Sequence, residues 1–385
     1  MSLLELALLA SGVVWLYLAL ARGGFWLCRV RDDGAFPDPE NWPGVVAIVP
    51  ARDEAAVIGQ TVASLAAQVY PGDLSILLVD DQSQDATAER ALEAAGQAGF
   101  FRRVRIVEGR ALASGWTGKL FALQQGFEAA DAEGAKPKYV WLSDADIVYG
   151  PGALASLVCR AEAGGLALTS LMVKLRCESF AERALIPAFV FFFQMLYPFA
   201  WVNQKGSRMA AAAGGCMLVR REALAAAGGF AAIRGALIDD CALGARMKAI
   251  GPIWLGLTER ARSIRPYDSF DDVRRMVARS AYAQLRYSPV FLAATVFAML
   301  LIYALPPLAA LLTSGAAQGI GFAIWAAMAI LFAPTLMFYG RPPLASVFLP
   351  LIALVYVAFT LDSAWQHAQG RGGMWKGRIQ AVRSP

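Results

Sequence analysis

The chain has 385 residues, of which 57% are hydrophobic and only 17% charged, with a net charge of +5. Ordinary soluble domains carry roughly 25% charged residues, so a fully water-exposed globule is excluded, and so is a disordered chain. The lone histidine, His367, stands near the C-terminus, which argues against a Ser-His-Asp triad, a two-histidine zinc site or a Cys-His nucleophile. Five cysteines without a CxxC pair argue against a disulfide framework or structural zinc and for a reducing compartment.

Residues 3–21 form an apolar run interrupted only by Glu5, about the length that spans a bilayer. A basic start and a small-residue cleavage site are both missing, so residues 1–22 read as a retained anchor. Arg22, Arg29 and Arg31 follow, and the positive-inside tendency puts the next domain in the cytoplasm.

Residues 42–265 alternate strand and helix patterns. Residues 45–49, 75–79, 104–107 and 139–142 read as buried strands. Residues 54–68, 86–98 and a stretch from Lys119 read as helices between them. The fold class is therefore α/β, a doubly wound, Rossmann-like sheet whose ligands bind beyond the carboxyl ends of the strands.

Residues 184–202, within this domain, carry Phe189, Phe191, Phe192, Phe193, Tyr197, Phe199 and Trp201. Aromatics around the whole circumference fit an interfacial helix that gates a lipid into the cleft, the alternative being a core helix. Residues 266–290 form a basic amphipathic segment with Arg274, Arg275, Arg279 and Arg286, suited to anionic headgroups. Residues 291–363 are divided into three apolar stretches, 291–312, 320–339 and 344–361, with Arg341 the only charge up to residue 361. One anchor followed by three crossings leaves the basic tail, residues 364–385, on the far side from the domain. A re-entrant segment at Pro306-Pro307 or in the last stretch would bring Arg371, Lys376, Arg378 and Arg383 back.

The strand ends carry Pro50-Ala51-Arg52-Asp53-Glu54, Asp80-Asp81 and Asp144-Ala145-Asp146. Any one acidic cluster also suits a helix N-cap, but three on one sheet edge call for a cation. Asp144 and Asp146 can approach one Mg²⁺ or Mn²⁺, which takes its remaining ligands from water and substrate phosphates. Thr117-Gly118-Lys119 fails the P-loop pattern, since Ala113 and Leu120 occupy positions that need Gly and Ser or Thr. Lys119 can start a helix facing a phosphate or be a solvated lysine. There is no GxGxxG after a strand, and no basic-aromatic platform for nucleic acid.

In chain order the motifs are PARDE (50–54), VDDQSQDAT (79–87), WTGK (116–119), SDADI (143–147), GGCMLVRREAL (214–224), IDD (238–240) and QLRY (284–287). Over about residues 42–287 this ordered set resembles the family 2 inverting glycosyltransferases with the GT-A fold. The whole arrangement, anchor through membrane C-terminus, is most similar to the hopanoid-biosynthesis-associated glycosyltransferases of bacteria. It is less closely similar to ceramide glucosyltransferases and carotenoid-acid glycosyltransferases. The resemblance implies that Pro50, Ala51, Arg52 and Glu54 line the nucleotide pocket, with Asp80 on the base or ribose and Asp81 nearby. It implies a metal on Asp144 and Asp146 at the diphosphate, and Asp240 as the base. Asp239, Gln284, Arg286 and Tyr287 fall on the acceptor side. QLRY departs from the family's (Q/R)xxRW, because Ala283 precedes it and Tyr287 replaces Trp, which argues against processive polymer synthesis.

The expectation is an enzyme of the bacterial inner membrane that moves a sugar from a nucleotide donor, a UDP-sugar, to a membrane lipid such as a hopanoid. Asp240 would deprotonate the acceptor hydroxyl while the metal and Lys119 stabilise the leaving diphosphate. For Asp239-Asp240 a helix N-cap remains the alternative role. A polyprenyl-phosphate sugar synthase, a ceramide-type synthase and a nucleotide-binding membrane scaffold also remain open.

Overall fold

The computed structural model describes residues 2–132, 136–374 and 376–377; Arg378 and Arg383 of the expected tail lie outside them. Helix α1 (Leu3–Leu20) comes first, capped by Ser2 and Glu5. An eight-stranded sheet follows, in the order β3-β2-β1-β4-β7-β6-β8-β5. Its strands are β1 (Val45–Ala51), β2 (Leu74–Asp80), β3 (Val104–Glu108), β4 (Tyr139–Ser143), β5 (Ile147–Tyr149), β6 (Leu168–Lys174), β7 (Cys216–Arg220) and β8 (Ile253–Ser263).

Strands β1 to β4 are parallel and need crossover helices to return the chain. These are α2 (Ile58–Ala66), α3 (Thr87–Gln97) and α4 (Gly118–Ala132), with α5 (Ala153–Gly164) after β5. Both faces of the sheet are covered. Val46 and Ile48 pack in one core with Leu120 and Leu123 of α4. Val45, Ala47 and Val49 pack in the other with Ile58, Val62 and Leu65 of α2. That two-sided burial is why β1 is a continuous apolar run, and it makes the sheet doubly wound. β7 breaks the parallel order by running antiparallel to both β4 and β6, and β5 runs antiparallel to β8.

The expected helix over residues 54–68 is shorter at its start. Residues 54–57 form a turn, with the Glu54 carbonyl accepting from Val57 and Ile58, and its amide donating to Thr87 Oγ1 at 2.8 Å. The aromatic stretch divides into α6 (Phe180–Leu196) and α7 (Phe199–Val202), separated by Pro198. Phe191 is fully buried against Phe25, Phe192 and Phe332. α6 is therefore sandwiched between the α/β layer and the apolar helices.

The remaining helices of the catalytic region are α8 (Arg221–Ala226), α9 (Asp239–Ile250), α10 (Phe270–Ala278) and α11 (Ala281–Gln284). The C-terminal part contains α12 (Pro289–Met299), a π-helical turn over Leu300–Ala304, α13 (Leu305–Leu312), α14 (Gly315–Phe338), a 3₁₀ turn over Pro343–Phe348 and α15 (Leu349–Ala368). Pro306 has no N–H for the Ile302 carbonyl four residues earlier, and Trp15 Nε1 donates to that carbonyl at 2.8 Å. Among the described residues four helical stretches are long and apolar enough to cross a membrane: Leu3–Leu20, Pro289–Leu312, Gly315–Phe338 and Pro343–Ala368.

The last stretch doubles back. Phe338, at the end of α14, lies under Arg31 and Lys174 at the catalytic domain. The chain then climbs beside α14 until the Val347 carbonyl accepts from Trp325 Nε1 at 2.9 Å, part-way along that helix. α15 returns, and at its far end Asp362 pairs with Arg274 while Ser363 Oγ accepts from the Tyr282 amide at 3.0 Å. The end of α14 and the end of α15 thus both lie against the α/β domain.

Candidate active site

Parallel register sets the first part of the site. Ala51 stands opposite Asp80, and Ile48 opposite both Leu77 and Leu142, so β1, β2 and β4 end at one edge. Antiparallel β7 brings Cys216 opposite Ser143, which lays Gly214 and Gly215 beside Asp144. β5 pairs with β8, Ile147 opposite Ser263, and this places Ser263 to Arg265 beside Asp146.

Two groups of charges meet at that edge. In the first, Lys119 Nζ lies 2.7 Å from Asp144 Oδ1 and 3.3 Å from Asp239 Oδ2. Asp240 adjoins it, with Oδ2 accepting from the Gly214 amide at 2.9 Å and Oδ1 from the Cys241 amide at 2.7 Å. Gly214 packs closely here: a Cβ would stand 3.1 Å from Lys119 Nζ and 3.3 Å from Asp240 Oδ2, so a side chain would press on both groups. In the second group, Arg265 Nη2 lies 2.7 Å from Glu54 Oε1, and its Nε 3.4 Å from Asp146 Oδ2, which also accepts from Ser263 Oγ at 2.6 Å. Lys376 Nζ adds a contact to Glu54 Oε1 at 2.9 Å.

The electrostatics follow from burial and crowding. Burial pushes the Asp240 carboxyl up to about 6, the neighbouring Asp239 charge adds to that, and Lys119 with the two amides opposes it. Burial likewise raises Asp144 against the pull of Lys119. Burial alone would lower the Lys119 ammonium, but Asp144, Asp239 and Asp240 hold it above its ordinary value. Among the described residues no group of three or more His, Cys, Asp or Glu side chains is assembled for a metal. Asp144 and Asp146 nevertheless offer hard oxygen ligands, and a divalent ion held by two carboxylates is completed by substrate phosphates. Glu54, Asp144, Asp146, Asp239 and Asp240 are five carboxylates against Lys119, Arg265 and Lys376. The excess of two negative charges fits one such ion.

Other expected residues have local partners. Pro50 and Ala51 are buried in β1, and Arg52 Nη1 donates to the carbonyls of Asp81 and Gln82. Asp80 Oδ1 accepts from the Ser83 amide at 3.0 Å, and the Asp81 amide donates to the Ala51 carbonyl at 2.8 Å. Gln284 exchanges hydrogen bonds with the Tyr197 hydroxyl at 2.8 and 3.1 Å, and Tyr197 interacts with Cys241, next to Asp240. Tyr287 stacks on His367 at 4.4 Å, and Arg286 is exposed. The motif QLRY thus contributes Gln284 to the site through Tyr197, while Tyr287 packs against the end of α15. Arg265, Ser263 and Tyr197 were not singled out from the sequence as site residues. Arg265 follows the end of β8, so a correct strand boundary would have marked it.

A mixed sheet wound on both faces, with carboxylates and a lysine at its carboxyl edge, defines a GT-A nucleotide-sugar fold. Residues 43–282 match the family described as Glycosyltransferase like family 2, and the chain belongs to that family: it is a glycosyltransferase. Among solved structures it is similar to the mannosyltransferase PcManGT from Pyrobaculum calidifontis, in complex with GDP-Man and Mn²⁺. That match has 19% identity and a TM-score of 0.59, and covers 94% of this chain and 99% of that one. Glucosyl-3-phosphoglycerate synthase from Mycobacterium tuberculosis, in complex with Mn²⁺, UDP-glucose and phosphoglyceric acid, matches at 21% identity. It covers 61% of this chain and 78% of that one, with a TM-score of 0.38. No curated protein matches the chain.

Proposed function

We propose that the chain transfers a hexosyl group from a nucleoside-diphosphate sugar, a UDP-sugar, to the hydroxyl of a membrane lipid, with inversion at the anomeric carbon. The observation that carries this reading is Asp240, a carboxylate whose proton affinity is raised to about 6 and which two backbone amides orient beside Lys119 and Asp144. A base poised near the working pH takes a hydroxyl proton more readily than an ordinary carboxylate. The acceptor oxygen attacks C1 as its proton passes to Asp240. The C1–O bond breaks, and its electron pair leaves on the β-phosphate of the nucleoside diphosphate. Attack opposite the leaving group inverts the centre and needs no second carboxylate nucleophile.

Arg52 and Glu54 would bind the nucleotide with Asp80 and Asp81, and Lys119 would face the diphosphate. Asp144 and Asp146 would hold Mg²⁺ or Mn²⁺, which when bound neutralises charge on the leaving diphosphate. A lipid acceptor is supported by α6, whose aromatic side chains join the apolar helices in one core beside the site. The hopanoid class rests on the resemblance of the ordered motifs, as does the bacterial inner membrane with the domain on the cytoplasmic side. The test is nucleotide release from a panel of UDP-sugars and GDP-mannose, using membranes from hopanoid-making and hopanoid-lacking cells. Release from a UDP-sugar that requires hopanoid is expected. Release dependent on polyprenyl phosphate would replace the acceptor, and no metal-dependent release with any donor would overturn the enzyme mechanism.

A further inference from the structure

We propose that Lys119 guards the metal position, so that the ion and the nucleotide diphosphate bind as a linked pair and the ion binds poorly alone. The inference rests on the reading that Asp144 and Asp146 carry the donor's metal, and it assigns Lys119 a second role, exercised before the donor arrives. Its ammonium lies between Asp144 Oδ1 at 2.7 Å and Asp239 Oδ2 at 3.3 Å, with its side chain only 19% exposed. A divalent ion bound to Asp144 at about 2.1 Å would be only a few ångströms from that ammonium. Two like charges so close in a partly dry cleft repel strongly. One of them has to move.

The geometry also provides the way out. Lys119 is the second residue of α4, so its base is fixed while its four-carbon stem can swing. Gly214 carries no side chain beside Nζ, where a Cβ would press at 3.1 Å and hinder the swing. A diphosphate entering the cleft is the anion that draws Lys119 off Asp144. Once the lysine moves, the carboxylate is free for the ion, and the ion in turn holds the diphosphate. Each ligand therefore favours the other, and the linkage is reciprocal. Arg265, on Glu54 and Asp146, leaves the second carboxylate similarly engaged until the phosphates arrive.

The experiment is Mn²⁺ binding to the full chain in detergent, read from the free-ion electron paramagnetic resonance signal, with and without UDP. In the native chain UDP should tighten Mn²⁺ binding by roughly tenfold or more. Lys119→Met should tighten Mn²⁺ binding in the absence of UDP and shrink the effect of UDP to about threefold or less. Lys119→Gln serves as the second uncharged variant, and thermal melting identifies whichever of the two is folded. An unchanged UDP-free affinity in the folded lysine variant, while Asp144→Asn abolishes binding, overturns the guarding role alone. Loss of Mn²⁺ binding in every protein, UDP present, overturns the metal reading on which it rests.

Discussion

Lys376, beyond the last helix, sets its Nζ 2.9 Å from the Glu54 carboxylate and 2.9 Å from the Asp53 carbonyl. Lys376 and Glu54 therefore share one side of any membrane the protein crosses. An even number of complete crossings must separate residue 288 from residue 376. In the arrangement we propose, the helices over Pro289–Leu312 and Gly315–Phe338 supply two, and residues 343–368 turn back to their own side as a hairpin. Reporter fusions test this: a phosphatase at the C-terminus should be inactive and a fluorescent protein there bright. Ser314→Cys should react with an impermeant maleimide from the opposite face. Phosphatase activity at the C-terminus would sink the hairpin arrangement.

The acid limb of the pH profile should report Asp240. A base works only when deprotonated, and this carboxyl is raised to about 6, so the rate should fall as pH drops through that value. Asp239→Asn removes the neighbouring negative charge, the second cause of the shift after burial, and should move the limb to lower pH. Asp240→Asn should cost about 10²–10⁴-fold in transfer while nucleotide binding, measured by calorimetry, survives. A limb that stays in place in Asp239→Asn, or an active Asp240→Asn, would remove Asp240 from the role.

The sequence disclosed β1 to β4, but not β5 to β8, and the acidic residues at strand ends, because two-sided burial forces continuous apolar runs that stop where polar chemistry begins. β1 and β2 gain only one or two residues at their ends in the structure. Arg265 was less legible, since β8 runs through Glu259, Arg260 and Arg262 before it ends, and that mixed pattern hides the boundary. A turn-back in the last stretch was legible only as one of two candidates, the other being Pro306-Pro307. Hydropathy records that residues 343–361 avoid water, and a re-entrant segment avoids it as well as a crossing does. Asp80 was legible as an acidic strand end, but no pattern announced that its carboxylate would receive the Ser83 amide in its own loop.

The pair Tyr197 and Gln284 ties the aromatic region to the neighbourhood of Asp240, the proposed base. Its two hydrogen bonds, at 2.8 and 3.1 Å, hold the Tyr197 hydroxyl beside Cys241. Tyr197→Phe should raise the acceptor KM by about five- to tenfold, equivalent to one lost hydrogen bond, and leave the donor KM unchanged. Gln284→Ala should behave alike, and the double variant should lose little more than either alone, because both remove one interaction. Equal rises in donor and acceptor KM would indicate a general distortion and defeat the positioning role.

Glu182 joins α6 to the segment after β8, and its loss should destabilise the domain. The residue is fully buried. Oε1 accepts from the Tyr267 amide at 2.7 Å and Arg176 at 3.0 Å, while Oε2 accepts from the Glu178 and Ser179 amides at 2.7 and 2.8 Å. Burial alone would raise this carboxyl, yet the three amides and Arg176 bring it below its ordinary value. A carboxylate depressed in the folded state contributes stability above its unfolded value, about 4.3, and that contribution disappears as pH falls below it. Glu182→Ala leaves three amides and a guanidinium without their acceptor, at a cost of about 3–5 kcal/mol. Thermal melts in detergent should show a lower midpoint for Glu182→Ala at pH 7, and a difference from the native chain that holds down to about pH 4.3 and narrows only below it. A gap that stays constant as pH falls further below that value would mean that the charge on Glu182 does not hold α6 in place.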